Sequence, residues 1–591
     1  MTRRLGSGRS PVLHHEDEGA LGVAPAPGQT PSLHHDDRIV VGWVGRIDWQ
    51  RSRHRDTALE LGEGRTIANA YAEHGPDFLS DIYGDVALAL LDRRRNELLL
   101  AIDRAGVRSL VYCPTPSGAA FASTGAALGA HPDVPRSVDP QAIFDFIYFH
   151  MVPSPKSIFQ QWRKLRPAEY VLVRGGNAQH HRYWTPRYTD HAAGESESDL
   201  ASEYRETARR AVTSCVEMSD GRIGAFLSGG TDSSTIAGLV GDVTGEPANT
   251  YSIGFDVPGY DESSYAQIAV RHFGTNHHDY TVTPSDVLEA APQLAEAYDE
   301  PFGNASAVGT LFCARLAHAD GIGTLLGGDG GDEIFAGNER YAKQKIFERY
   351  YQIPALVRTK LVEPVVGMLP GNGFPIGKAK SYVRQARTPL PDRLESFNFL
   401  QRIPPAEIFS SEFLDAVDTG EPLTLLRERY AETPSDSTLH RLLYLDLKFT
   451  LADNDLRKVS RTCEMAGVEA RYPFLDPGLV DFANRVPPAL KLKGQTLRYF
   501  FKRASAGFLP PEILGKSKHG FGVPCGRWMR DEPPLRELAY DSLASLGRRG
   551  YMSPAFIERL KTLHQGEHVD YYGVMVWVLT MLELWHHHHV D

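Results

Sequence analysis

The sequence predicts an α/β protein in two parts: a β-rich first domain, then a doubly wound parallel sheet whose chain runs on into helices. Three observations predict it. Short apolar runs broken by Gly, Pro and Asp fill residues 38–184. From residue 198 to 327 strand-sized apolar runs alternate with helix-sized periodic segments, the pattern of a parallel sheet covered by helices. Beyond about Ile334 the periodicity is helical almost to the end. A chain of 591 residues also exceeds what one hydrophobic core supports.

The elements follow in chain order. Residues 1–37, rich in Gly, Pro and His, read as loose. Strand-like runs occupy 38–44, 85–91, 97–102 and 109–112, and residues 170–173, Gly175-Gly176 and 180–184 read as a hairpin. The polar stretch 186–199 reads as a linker, which divides the chain into domains at 1–190 and 191–591. Residues 198–218 form a helical pattern with Ser198 as the expected N-cap. A buried strand follows at 223–227, broken by Gly229-Gly230, and a helix resumes at 232–240. Strand 251–255, helices 263–273, 285–298 and 307–319, and strand 323–327 complete the alternation.

Composition narrows the function classes. Net charge is −11, with no basic stripe, so no nucleic-acid partner is expected. No apolar stretch is long enough to span a membrane, and the first residues lack the apolar core of a signal peptide. The five cysteines (113, 215, 313, 463 and 525) form no CxxC pair, which argues against a disulfide framework or a zinc site and for a reducing, cytoplasmic setting.

The sharpest motif is Leu227-Ser228-Gly229-Gly230-Thr231-Asp232-Ser233-Ser234, set between a buried strand and a helix. Two glycines clear side chains so that backbone N–H groups face an anion. The following helix aims its positive end at the same point. Ser228, Ser233 and Ser234 add hydroxyl donors, and Asp232 is suited to hold Mg²⁺ rather than phosphate. No GxxxxGK[ST] loop occurs; the nearest segment, 371–378, has the wrong spacing and is followed by Ala379. A second Gly-rich turn, Gly327-Gly328-Asp329-Gly330-Gly331-Asp332-Glu333, also follows a buried strand, so it is expected at the same end of the sheet, with Asp332 as a second carboxylate to the metal.

SGGxDS resembles the pyrophosphate loop of the N-type ATP pyrophosphatases, which cleave ATP between the α and β phosphates and adenylate a substrate. The motifs that follow narrow this. Tyr251-Ser252-Ile253-Gly254-Phe255, Asp299-Glu300-Pro301-Phe302, the 327–338 run, Glu469-Ala470-Arg471-Tyr472-Pro473-Phe474-Leu475-Asp476 and Lys516-Ser517-Lys518-His519-Gly520-Phe521-Gly522 occur in the order of the synthetase domain of asparagine synthetases. The resemblance covers roughly residues 200–585. It implies ATP and Mg²⁺. Leu227, Ile253, Gly327 and Gly328 would line the adenosine and ribose; Ser228, Gly229, Gly230, Asp232 and Ser233 would hold the phosphates; and Asp232 and Asp332 would ligate the metal. Asp329 stands where the family usually has Glu near the reacting amine. Lys518 matches the lysine that meets the α-phosphate. The 471–476 run reads as a strap between the helical half and the sheet.

The first domain resembles the N-terminal-nucleophile (Ntn, αββα) glutaminase domain of the same family. The resemblance rests on residues 84–92, 103–108 and 120–123, with 153–159 and Tyr183-Trp184 as the closing segment. That chemistry needs Cys directly after the initiator Met. Here residues 2 and 3 are Thr and Arg, and the family's NGEIYN stretch appears as Val44-Gly45-Arg46-Ile47-Asp48-Trp49, without its amide. Cys113 reads as a buried small hydrophobe. The expectation is a degenerate glutaminase.

The sequence therefore predicts an ATP-dependent, AMP- and pyrophosphate-forming amide-bond synthetase. It would join a small-molecule or peptide carboxylate to an amine or ammonia, as β-lactam synthetase and lasso peptide cyclase relatives do. The alternatives are an asparagine synthetase proper and an idle scaffold. A carrier or peptide-binding partner protein and a homodimer are compatible with it. The tract His586–His589 resembles a short purification tag or a metal tract and, after an amphipathic helix, reads as native, while the pairs at 14–15, 34–35, 180–181 and 277–278 show no metal-ligand spacing.

Overall fold

The computed structural model describes residues 12–16, 19–23, 32–116, 118–190, 194–219, 221–260, 263–371, 373–516, 522–566 and 568–591. In the first half, a six-stranded antiparallel sheet runs in the order Asn177–Arg182, Glu169–Arg174, Glu97–Ile102, Val86–Asp92, Ile39–Gly45, Leu33–His35. A second sheet of Gly118–Ala122, Val111–Thr115 and Arg163–Lys164 lies against it. Strand alternation assigns each face its cover. Leu88, Leu90, Leu99 and Ala101 pack with Ile67, Ala70 and Tyr71 of helix Glu63–His74. Ala87, Ala89, Leu100 and Ile102 pack instead with Leu110 and Tyr112 of the second sheet's side. Val111, Cys113, Ala120 and Ala122 face the opposite way, onto Ile143, Phe144 and Ile147 of helix Pro140–Phe149. The layers are thus α, β, β, α, the Ntn arrangement. Cys113 is fully buried, in keeping with a hydrophobe.

The residues alone reveal the strands of this half better than its helices. Ser52–Leu61 and Glu63–His74 were not legible because the first is polar almost throughout, with Leu59 87% exposed. Part of the stretch expected to be loose pairs as a hairpin, Val12–Glu16 with Gly19–Val23; residues 1–11, with Thr2 and Arg3, lie outside the described residues.

The second half carries a five-stranded, all-parallel sheet in the order Asn276–Val282, Asn249–Phe255, Arg222–Phe226, Ile322–Leu326, Glu469–Arg471. Two of its strands depart from the reading above. Asn276–Val282 escaped because NHHDYTV reads as polar; it is an edge strand whose His277 is held between Thr250 and Ser252 at 3.0 Å each. Glu469–Arg471 is the opposite edge strand, so the run expected to be a strap begins inside the sheet. The helix before the sheet is Glu197–Glu217, and its cap is Ser196 rather than Ser198. The Ser196 hydroxyl accepts from the Asp199 N–H at 3.1 Å.

The two halves share a core. Phe144 and Phe146 belong to the same cluster as Leu311, Trp577, Leu579 and Trp585, the last three from helix Val569–His589. Polar contacts register the two halves: the Arg108 guanidinium donates to Asp85 at 2.8 Å and to Glu469 at 2.9 Å. Among the described residues no helix is long and apolar enough to cross a membrane.

Two buried histidines set an acid limit. His440 is wholly buried and bonds Asp190 through Nδ1 at 2.8 Å, while His586 is 1% exposed with no hydrogen-bond partner for either ring nitrogen among the described residues. Burial lowers both to about 4, below the unfolded value of about 6.5. At these two positions the unfolded chain binds more protons between pH 6.5 and 4, so the stability they contribute above pH 6.5 is lost as pH falls through that window. The difference in urea midpoint between the wild type and His586→Phe should shift in favour of the variant as pH falls from 7.5 to 5.

Candidate active site

The strand order reverses about Arg222–Phe226. The chain leaves it for Asn249–Phe255 on one side and reaches Ile322–Leu326 on the other. Crevices in open parallel sheets form at such switch points, beyond the carboxyl ends of the strands. Both Gly-rich loops emerge there from adjacent strands. Leu227, 1% exposed, is pinned by its N–H to the Tyr251 carbonyl at 2.8 Å. The Ser228 and Ser233 hydroxyls lie 3.1 Å apart across the first loop. Helix Thr231–Thr244 begins there, with Gly230 as N-cap and Asp232 in its first turn. Ile253 sits two residues beyond Tyr251, at the same end of the sheet.

Close approach dictates the glycines. Gly229 has φ +66°, and a Cβ there would strike the backbone of Tyr265 and Ala266. A Cβ on Gly328 would lie 3.0 Å from Asp232 Cβ and Ser233 N, and one on Gly331 would lie 2.6 Å from the Asp232 carboxylate carbon. The second loop is therefore laid directly on the first turn of the Thr231–Thr244 helix, which brings Asp332 across from Asp232. Gly331→Ala should push the Asp232 carboxylate aside and weaken MgATP binding by about tenfold or more, as about 1.4 kcal/mol would do. Nucleotide titration of the variant checks this.

One cation joins the two carboxylates. Arg498 donates from one guanidinium nitrogen to Asp232 and Thr231 and from the other to Asp232 and Asp332. Its backbone is left-handed at φ +53°, it is 5% exposed, and it caps helix Tyr499–Ala504. The side chains of Asp232 and Asp332 are 18% and 16% exposed. Two carboxylates converging on one positive group are the donor set that a divalent cation takes, so the residues fit Mg²⁺.

Behind this pair lies a second acidic group. Burial pushes Asp329 up to about 6, against the pull of Lys458. Burial, with Asp455 and Asp446 nearby, raises Glu333 to about 8. Lys458 reaches Asp455 at 3.3 Å, and the carboxylates hold its pKa above the ordinary value despite burial. Asp329 thus stands close to the two loops as a carboxylate that exchanges its proton near neutrality. At the rim, Lys516 Nζ donates to the Ser228 carbonyl at 3.4 Å and lies over the Tyr265 ring. Residues 517–521, including Lys518, lie outside the described residues; Lys516 shows only that the chain enters that segment beside the phosphate-type loop.

Residues 203–587 match the asparagine synthase family model, well over half of the chain, and residues 53–184 match a glutamine amidotransferase domain. The chain belongs to the asparagine synthase family. As a member of the family it is an ATP-dependent, amide-forming carbon–nitrogen ligase. It is 25% identical over 525 residues to a protein named asparagine synthetase [glutamine-hydrolyzing] 1 of Bacillus subtilis (strain 168), covering 87% of this chain and 79% of that protein. It is 26% identical over 556 residues to a putative asparagine synthetase [glutamine-hydrolyzing] of Mycobacterium tuberculosis (strain ATCC 25618 / H37Rv), covering 91% and 82%. It is also 25% identical over 502 residues to a fungal protein of Gibberella zeae named amidase chry2, covering 78% and 72%.

Within the asparagine synthase family member described here, the structure brings Leu227, Ser228, Gly229, Gly230, Asp232, Ser233, Ile253, Gly327, Gly328, Asp329 and Asp332 to one end of the parallel sheet. Sequence reading missed Arg498, Glu333 and Lys458. Glu333 adjoins a motif already in view. Arg498 and Lys458 lie in helical stretches where a single cation looks like an ordinary surface charge.

Proposed function

We propose that this ligase activates a carboxylate as its acyl-adenylate and passes the acyl group to an amine or ammonia, with MgATP held between the 228–233 and 327–332 loops. The observation that carries the reading is the convergence of Asp232 and Asp332 on one cation at the N-terminus of helix Thr231–Thr244. A substrate carboxylate oxygen attacks the α-phosphorus, and pyrophosphate leaves toward the helix N-terminus and the Ser228 and Ser233 hydroxyls. Mg²⁺, ligated by the two aspartates, would supply neutralisation of the phosphate charge as it separates. Arg498 must yield the aspartates for this. The amine attacks the acyl carbon, AMP departs, and the amine proton passes to the Asp329 carboxylate, whose pKa near 6 suits that exchange. Lys518 is assigned to the α-phosphate by its position in the motif.

The nitrogen comes from an amine or from free ammonia rather than from glutamine cleaved within the chain. Val44 replaces the amide that the amidotransferase reaction uses, and it packs with the apolar residues between the two antiparallel sheets. Arg46 of the same stretch turns to Glu469 at 3.9 Å, which serves the joint between the halves. The test is pyrophosphate release from MgATP with aspartate and ammonium, aspartate and glutamine, and a panel of acids that includes amino acids and carrier-bound acids. Glutamine-supported release would overturn the nitrogen assignment. Release of ADP with phosphate would overturn adenylation.

A further inference from the structure

On the outer helix layer of the first domain, we propose a divalent transition-metal site formed by His54, Glu73 and His74, with Asp81 as the group that orients His54. One ligand atom from each of the three lies within 4.8 Å of the other two. They come together because helices Ser52–Leu61 and Glu63–His74 run side by side, with the start of the first beside the end of the second.

Hydrogen bonding orients both imidazoles. His54 is 5% exposed and meets the Asp81 carboxylate through Nδ1; Asp81 is 3% exposed and is itself held by the Arg51 N–H at 2.8 Å. A carboxylate only accepts, so Nδ1 carries the proton, and in the neutral imidazole the lone pair is on Nε2. His74 receives, at Nε2, N–H donors from Arg51 at 3.2 Å and Arg53 at 2.8 Å. Arginine only donates, so this Nε2 also presents a lone pair. Glu73 Oε1 stands 3.6 Å from that nitrogen. Two imidazoles and a carboxylate with ligand atoms within 4.8 Å of one another, and a buried carboxylate behind one imidazole, are the elements of a His₂Glu site that leaves one position to water. Zn²⁺ and Co²⁺ suit this donor set.

The Arg53 guanidinium spans Glu73 at 2.9 Å and His74 at 2.8 Å, and its side chain is 53% exposed. It supplies positive charge to the donors a metal would use, and it is free to swing into solvent. Metal and guanidinium therefore compete, a relation that a purely structural ion-pair network would not show.

The test uses the full chain carrying His587→Ala and His588→Ala, which removes the exposed end of the terminal histidine tract. Zn²⁺ is titrated in competition with a chromophoric chelator, and Co²⁺ is followed by its visible absorption. One Zn²⁺ per chain is expected, with a four-coordinate Co²⁺ spectrum. Glu73→Gln and His74→Gln, both away from the core, should each weaken binding at least tenfold at unchanged circular dichroism, and Arg53→Ala should tighten it severalfold. The site is overturned if His74→Gln binds as well as the parent, if Arg53→Ala binds no tighter, or if neither the parent nor Arg53→Ala takes up Zn²⁺.

Discussion

Asp332→Ala and Asp232→Ala should each lower pyrophosphate formation by about 10²–10³-fold or more, the usual loss when one preorganised charge partner leaves a transition state. The two carboxylates come from different loops and meet at one point, so neither can replace the other. Asp232 is fixed by the Gly331 backbone packed on it, and Asp332 by the turn that leads to Gly337, where any side chain would collide with the Asp332 carboxylate. Each variant keeps Arg498, which cannot substitute for a metal because a guanidinium donates hydrogen bonds and offers no position to a phosphate oxygen and a carboxylate at once. Steady-state rates over a range of MgATP should show a lower kcat and weaker nucleotide binding together. Rates within threefold of the wild type would remove Asp232 and Asp332 from the metal's shell.

Arg498→Ala should destabilise the protein without nucleotide and respond to Mg²⁺ in a way the wild type does not. The substitution leaves Asp232 and Asp332 facing each other without a counter-ion. Removing one partner of a fully buried charge pair costs about 3–5 kcal/mol. With the carboxylates 18% and 16% exposed, the expected loss is roughly 1–3 kcal/mol, discounted for solvent screening. Mg²⁺ would then bind the native state alone and restore stability by mass action. Thermal denaturation with and without millimolar Mg²⁺ should show a lowered midpoint that Mg²⁺ raises in the variant and leaves nearly unchanged in the wild type. A variant as stable as the wild type, and indifferent to Mg²⁺, would mean that the guanidinium is not the counter-ion that holds Asp232 and Asp332 together.

Much of the synthetase half was legible because strand, glycines and carboxylates are contiguous there. Gly229, Gly328 and Gly331 betray a close approach of backbone to neighbour, and helix Ser263–Phe273 follows a plain apolar period. What escaped has a common cause: it depends on residues that only the fold brings together. Arg498 lies more than 160 residues from either aspartate it joins. His54 and His74 are separated by a helix–helix connection and share no short ligand spacing. The edge strand Asn276–Val282 hides behind polar side chains that bond sideways to its neighbour. Ser196 and Ser198 are equally good caps by composition, and only the chain's path selects the first.

The most direct measurement is isotopic. An acid that supports turnover is labelled with ¹⁸O in its carboxylate and incubated with MgATP and its amine, and the nucleotide products are analysed by mass. Attack of the carboxylate on the α-phosphorus, followed by amide formation, carries one ¹⁸O into AMP and leaves the pyrophosphate unlabelled. Label in inorganic phosphate, with ADP as the nucleotide product, would mean that the carboxylate attacks the γ-phosphorus and would contradict adenylation at the 228–233 loop.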